Sequence, residues 1–267
     1  MAGRDAWSNP SKVSRDDARR MAAFLEERAG CPDQRQVNEW VTAVLHPLSG
    51  ERILEVGCGS GVLCRMAAQL MGPEGHMVGV DVSPDMLDAA RERGGGVEYA
   101  AAAAEALPFP DATFDGTLAA RLLLHIEDPA TALRELVRVT RPGGRVTAMD
   151  WDFETLAVDH PDRDLTRRII AWRSVHHSGD NWSGRQLYRR LADAGLAELA
   201  AMPVTTVALG GDTSLAQSVF RAAEVACDGG AISAAERDAW VSELQQRIAT
   251  QRYFAAITYF IVRGEKA

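Results

Sequence analysis

No stretch of the 267-residue chain approaches the roughly 18 consecutive apolar residues that a membrane-spanning helix needs, and the opening Gly3-Arg4-Asp5 is too polar for a secretory leader. Its four cysteines, Cys31, Cys58, Cys64 and Cys227, are scattered and form no C-x-x-C pair. A disulfide framework and a zinc site are therefore not expected. No His, Asp and Glu recur at metal-ligand spacing, so no metal is expected. A basic excess is also lacking: the net charge is -8, against the stripe of Lys and Arg that tracks phosphates. Nucleic-acid and membrane partners are accordingly not expected, and a cytoplasmic protein is. No internal repeat is evident, and only the extreme ends read as disordered. With 46% hydrophobic and 25% charged residues, the chain is long enough for one large domain, or one with a small appendage.

What is present is organised around Arg52-Ile53-Leu54-Glu55-Val56-Gly57-Cys58-Gly59-Ser60-Gly61, a short apolar run ending in alternating glycines. It reads as a buried strand feeding a tight turn, with Val62, Leu63, Met66, Ala67 and Leu70 giving the period of a following helix. A ligand belongs where strand meets helix. A dinucleotide fingerprint would run G-x-G-x-x-G, but its third glycine position is Val62 here. Glu55 would repel a pyrophosphate and attract a cation. An adenosyl ligand carrying amino and sulfonium groups fits better. Asp81 ends a second apolar run, Met77-Val78-Gly79-Val80, about 20 residues on, where an acid accepts from ribose hydroxyls.

From Glu51 to Asp150 these residues resemble the class I S-adenosylmethionine (SAM)-dependent methyltransferases. Ile53 to Gly61 is similar to their glycine loop, and Gly79-Val80-Asp81-Val82-Ser83-Pro84-Asp85-Met86-Leu87 to their ribose-binding motif. Ala104-Glu105-Ala106-Leu107-Pro108-Phe109-Pro110-Asp111 with Phe114-Asp115 resembles the adenine-side loop, and Arg138 to Arg145 the turn before the fifth strand. The nearest subgroup is the ubiquinone/menaquinone C-methyltransferase-like enzymes of small molecules. The resemblance implies SAM as cofactor and S-adenosyl-L-homocysteine as product. It implies cofactor binding by Glu55, Gly57, Cys58, Gly59, Gly61, Asp81, Val82, Met86, Ala104, Glu105 and Arg121. One departure stands out: Ala103 occupies the place where family members carry an adenine-side Asp.

Taken in order, Ser14-Arg15-Asp16-Asp17 reads as a capping box opening a helix closed at Gly30-Cys31-Pro32, and a second helix runs from near Asp33 to His46-Pro47. In the family such helices lie beside the cofactor mouth, where Trp7 would close over substrate; alternatively both only cover the sheet. A helix over 62–71, a strand before Asp81, a helix capped by Ser83-Pro84, strands over 97–100 and 114–119, a helix opened by Asp128-Pro129 and a strand over 145–149 follow. This alternation predicts a parallel sheet with helices on both faces. Beyond it lie a helix over 162–176 followed by 177–182, a stretch expected as a lid over the pocket, a helix over 184–194, a strand over 202–209, a helical pair over 215–227 and 234–249, and a last strand over 253–262. In the family this last strand is antiparallel, between the fifth and sixth. The expected whole is a Rossmann-like α/β fold with a seven-stranded sheet: an N-terminal helical cap over 1–50, a SAM-binding core over 51–150, and lid, insertion and last two strands over 151–267. The helical pair forms either a substrate wall or a dimer surface, leaving monomer and homodimer open.

Methyl transfer from a sulfonium needs alignment and water exclusion first, and a base only where the acceptor must lose a proton. His125, after the fourth strand, reads either as that base or as a residue capping the next helix. Asp152 and His176 are further catalytic candidates, and Trp151, His177 and Trp182 candidates for substrate contact. A small-molecule acceptor is expected, with RNA or protein methylation and a non-methylating use of the cofactor, such as cyclisation, as competing readings.

Overall fold

The computed structural model describes residues 13–176 and 179–267. Ser14 caps α1 (Arg15–Gly30), its Oγ accepting from the Asp17 amide at 3.1 Å. Pro32 sits in the first turn of α2 (Pro32–Leu45), where a missing amide costs nothing. Strand β1 (Arg52–Val56) is buried at Ile53, Leu54 and Val56 because it lies in the middle of the sheet with helices on both faces. Then follow α3 (Val62–Met71), β2 (His76–Asp81), α4 (Pro84–Glu92), β3 (Glu98–Ala101), β4 (Phe114–Ala120), α5 (Pro129–Val139) and β5 (Thr140–Val158). The chain continues with α6 (Arg163–His176), α7 (Ser183–Asp193), β6 (Leu196–Ala208), α8 (Ser214–Asp228), α9 (Ala234–Ala249) and β7 (Ala255–Lys266).

The seven strands form one sheet in the order β3-β2-β1-β4-β5-β7-β6. Strands β1 to β5 pair in parallel, while β7 is antiparallel to both β5 and β6, as the resemblance implies. Strand order reverses between β1 and β4, the place where open α/β sheets leave a crevice at the carboxyl ends.

Two strands outrun their sequence signal. β5 was expected to end at Met149 but continues to Val158, because β7 pairs with it from Arg145↔Glu265 to Val158↔Ala255, with a register shift after Asp152. β6 begins at Leu196 rather than Met202 for the same reason, β7 pairing with it from Leu196↔Lys266. Partner pairing, rather than local propensity, sets both lengths.

Three attachments position the helices around the crevice. Arg65 of α3 holds both carboxylate oxygens of Glu26 on α1, at 2.8 and 2.9 Å, and the Ser60 carbonyl at 2.7 Å, tying α1 to the glycine loop. Asp33 of α2, 4% exposed, accepts from the Ser214 and Leu215 amides and so caps α8 from another element. Trp240 of α9 donates to Thr166 of α6 at 2.9 Å and stacks on His160, which backs α8 from outside. Among the described residues no helix is long and apolar enough to cross a membrane.

Candidate active site

A cavity of about 720 Å³ opens at the carboxyl ends of β1, β2 and β4, within the size range of small-ligand sites. Its floor is the glycine loop. Gly57, Gly59 and Gly61 have φ of 75°, 53° and 79°, the left-handed region that L side chains avoid. Sterics tighten the demand: a Cβ on Gly57 would stand 2.6 Å from Leu122, and one on Gly61 would run into the Tyr99 hydroxyl. The Gly57 and Cys58 amides donate to the Val80 carbonyl at 2.7 and 2.9 Å, latching the loop to β2. Asp81 accepts from the Gly59 amide on one oxygen and from the Ser83 amide on the other, both at 2.9 Å. Those two bonds fix its carboxylate at the cavity wall. Gly61 leaves the first turn of α3 without a side-chain cap, so its amides remain available to a ligand.

Glu55 and Arg121 stand behind this floor as a buried pair of opposite sign. Glu55 is 3% exposed and accepts from the Cys64 thiol at 2.9 Å; burial pushes its carboxyl up to about 7, against the pull of Cys64 and Arg121. Arg121 has φ of 55° and donates to Asn38 at 2.8 Å, leaving Nη1 buried without a partner. Burial, then the charge of Arg28, brings its guanidinium down to about 10. Val82, Met86, Ala104, Glu105 and Ala103 also line the cavity, with Met86 shared between it and the Ala18, Met21 and Ala22 cluster of α1.

At the opposite end the walls are side chains from distant parts of the chain. His125 closes a short 3₁₀ turn, Leu123–His125, and lines the cavity. Burial and the nearby Arg28 lower it to about 4, leaving the ring neutral near pH 7. Trp151 and Phe153 of β5 face inward, with Tyr259 of β7 edge-on to Trp151 at 6.2 Å between centroids. The Tyr259 hydroxyl accepts from Gln34 at 2.9 Å and Arg28 at 3.2 Å, and Arg28 also lies over the Trp151 ring. Helix α8 supplies Ser214, Leu215, Ser218, Phe220 and Arg221, so this member of the inserted pair is a cavity wall and α9 its support.

Three expected site residues are placed elsewhere. Asp152 is turned to the reverse face of β5, where Arg185 of α7 holds both its oxygens. Successive residues of a strand alternate sides, so extending β5 past Met149 sends Trp151 and Phe153 into the cavity and Asp150 and Asp152 against α7. His176 stacks on Trp172 at 3.5 Å between centroids, at the exposed end of α6, and lies off the cavity wall. Trp182 is 44% exposed and carries the Arg185 guanidinium on its ring. His177 and Trp7 lie outside the described residues. Among the described residues the expected lid touches the cavity only through Arg173; α1 and α8 line it more extensively.

Sequence reasoning missed Arg28, Gln34, Asn38, Phe153, Arg173 and Tyr259. The helical period placed Gln34 and Asn38 on α2, yet nothing in it says which polar helix residues turn inward. For Tyr259 the only signal was alternation on the last strand.

Residues 54–148 match a family model described as a methyltransferase domain. Over 246 residues the chain is 31% identical to an uncharacterized 37.1 kDa protein in transposon TN4556 of Streptomyces fradiae, covering 90% of this chain and 70% of that one. It is 37% identical over 113 residues to the ubiquinone/menaquinone biosynthesis C-methyltransferase UbiE of Hahella chejuensis, covering 40% of this chain and 45% of the relative. This chain thus spans less than half of the UbiE protein. In fold it is similar to the [4+2]-cyclase SpnF, at TM-score 0.54 and 23% identity over 86% of this chain and 80% of that one.

Proposed function

The chain belongs to the class I S-adenosylmethionine-dependent methyltransferases, and we propose that it transfers the methyl group of SAM to a small metabolite enclosed at the far end of the cavity. The observation that carries this reading is the cavity's two-ended build: backbone amides and acids at one end, enclosing aromatic and polar side chains at the other. The residues fit the cofactor. Open α3 amides, the fixed Asp81 carboxylate, the buried acid Glu55 and the orphaned Nη1 of Arg121 suit an adenosyl amino acid carrying positive and negative groups. Asp81 would hold the ribose hydroxyls, Glu55 the cationic side and Arg121 the carboxylate, with Met86, Ala104 and Glu105 beside the adenine.

When bound, SAM supplies a methyl group on a positively charged sulfur. The chain's own part is to orient and to keep water out, the two contributions such a displacement most needs. Trp151, Phe153 and the α8 face enclose the acceptor, with α1 lining the same cavity. His125, neutral and lining the acceptor end, accepts a hydrogen bond from the acceptor's reacting group. A base that titrates near 4 takes a proton as transfer proceeds rather than before it. Ala103 leaves the adenine amino group to a backbone carbonyl or water.

Incubating the protein with methyl-labelled SAM and cell extract tests the proposal. Label is expected in the organic-soluble fraction. Label only in protein or in nuclease-sensitive material would overturn the small-molecule class; the net charge of -8 supports the expected outcome. Retained SAM with no label anywhere would favour a non-methylating use, such as cyclisation.

A further inference from the structure

Arg173, near the end of α6, is 6% exposed, lines the cavity, and stacks its guanidinium on Phe153 at 4.7 Å. Its Nε and Nη1 are buried with no hydrogen-bond partner, and among the described residues no carboxylate acts on its charge. Arg28 shows the same condition in part: it reaches Tyr259 through Nη2, but its Nε is buried and unpartnered. Burying a guanidinium without an acid is costly, and a fold retains one where a ligand offsets the cost. The same cavity is lined by the apolar side chains Trp151, Phe153, Phe220 and Ile257.

We infer that the methyl acceptor is a small organic anion with an aromatic or apolar body, its carboxylate or phosphate held by Arg173. This rests on the methyltransferase reading above and narrows it to a substrate class. The group held is distinct from the group methylated, so the product stays anionic. Arg173 is also distinct from the proposed holder of the cofactor carboxylate. Arg121 follows β4 and is anchored by Asn38, whereas Arg173 comes from α6 and rests on β5. Burial, then the charge of Arg221 on α8, brings Arg173 down to about 9, although Arg221 is itself paired with Glu224 at 2.8 Å.

Titration calorimetry on the full chain saturated with S-adenosyl-L-homocysteine tests the inference, with 4-hydroxybenzoate and phenyl phosphate as probes and 4-hydroxybenzamide as neutral control. At least one anion is expected to bind, and to bind about tenfold or more tightly than the amide, the two probes separating carboxylate from phosphate. Arg173→Met should abolish that preference while leaving homocysteine-cofactor affinity within about twofold, and Arg173→Lys should restore part of it. The melting temperature of Arg173→Met should be no lower than wild type, since an unpaired buried charge is removed. Failure of both anions to bind, equal binding of anion and amide, or an unchanged preference in Arg173→Met would overturn the inference. So would a melting temperature below wild type with the preference intact. Failure of the wild-type chain to bind S-adenosyl-L-homocysteine would instead sink the methyltransferase reading beneath it.

Discussion

The two ends of the cavity are built by opposite means. The cofactor end comes from turns at the ends of β1, β2 and β4, and its contacts are amides, a fixed carboxylate and glycines whose φ no other residue adopts readily. The proposed acceptor end is made of side chains from α1, α2, α6, α8, β5 and β7, brought together only by folding. The first end depends on backbone shape and tolerates little change. The second depends on which side chains happen to face inward, so it can change specificity without disturbing cofactor binding. One fold thus keeps a constant chemistry and varies its substrate.

The largest expected effect lies at the cofactor end. Gly61→Val forces a branched side chain into a left-handed residue and against the Tyr99 hydroxyl, and should lower SAM affinity on the order of a hundredfold or more. Asp81→Ala should follow, costing roughly tenfold to a hundredfold in SAM affinity, while His125→Ala leaves affinity nearly intact and lowers turnover by about tenfold to a hundredfold. Calorimetry beside steady-state kinetics separates them; equal affinity losses in the two variants would erase the distinction between the ends.

Next comes a pH effect at Glu55. Burial raises its carboxyl to about 7, so the acid is protonated below that pH and ionised above it. Affinity for a cationic ligand should therefore fall as pH drops below about 7, by up to about tenfold per unit, and level off just above. Glu55→Gln should flatten the profile between pH 5.5 and 7.5. A profile unchanged by the substitution would assign the titration to another group.

A stability effect tests the reverse face of β5. Asp150 is fully buried against Ser183, and burial raises it to about 7. The folded state then binds a proton that the unfolded chain releases near its ordinary carboxylate value. The Asp150 contribution to stability is accordingly present at low pH and lost as pH rises through about 4 to 7. Asp150→Asn should remove that slope and gain up to ~4 kcal/mol over wild type at pH 8, read by urea unfolding. The smallest effects belong to residues off the cavity wall: His176→Ala and Trp182→Ala should change kcat/KM by less than about twofold.

How far the site could be read from sequence follows the same division. The glycine loop, Asp81, Glu55 and the Ser83 cap announce themselves within a few residues, because turn conformations demand particular residue types at fixed offsets. Asp152 was misassigned for lack of one fact, that β7 prolongs β5 and so decides which side each residue faces. His176 and Trp182 looked like pocket residues because they followed the fifth strand, yet they cluster with Trp172 and Arg185 instead.

By itself the sequence determined the alternation of strand and helix and the glycine loop with its neighbouring acids, since hydrophobic period and turn chemistry are local properties of the chain. Only the tertiary structure decided the length of β5 and β6, the meeting of α1 and α8 at the cavity, and the placing of Arg173, its Nε and Nη1 unpartnered, against Phe153. Those features arise from contacts between residues that lie in different elements of the chain, as between Arg28 and Tyr259, and no local pattern encodes which distant side chains will share a cavity.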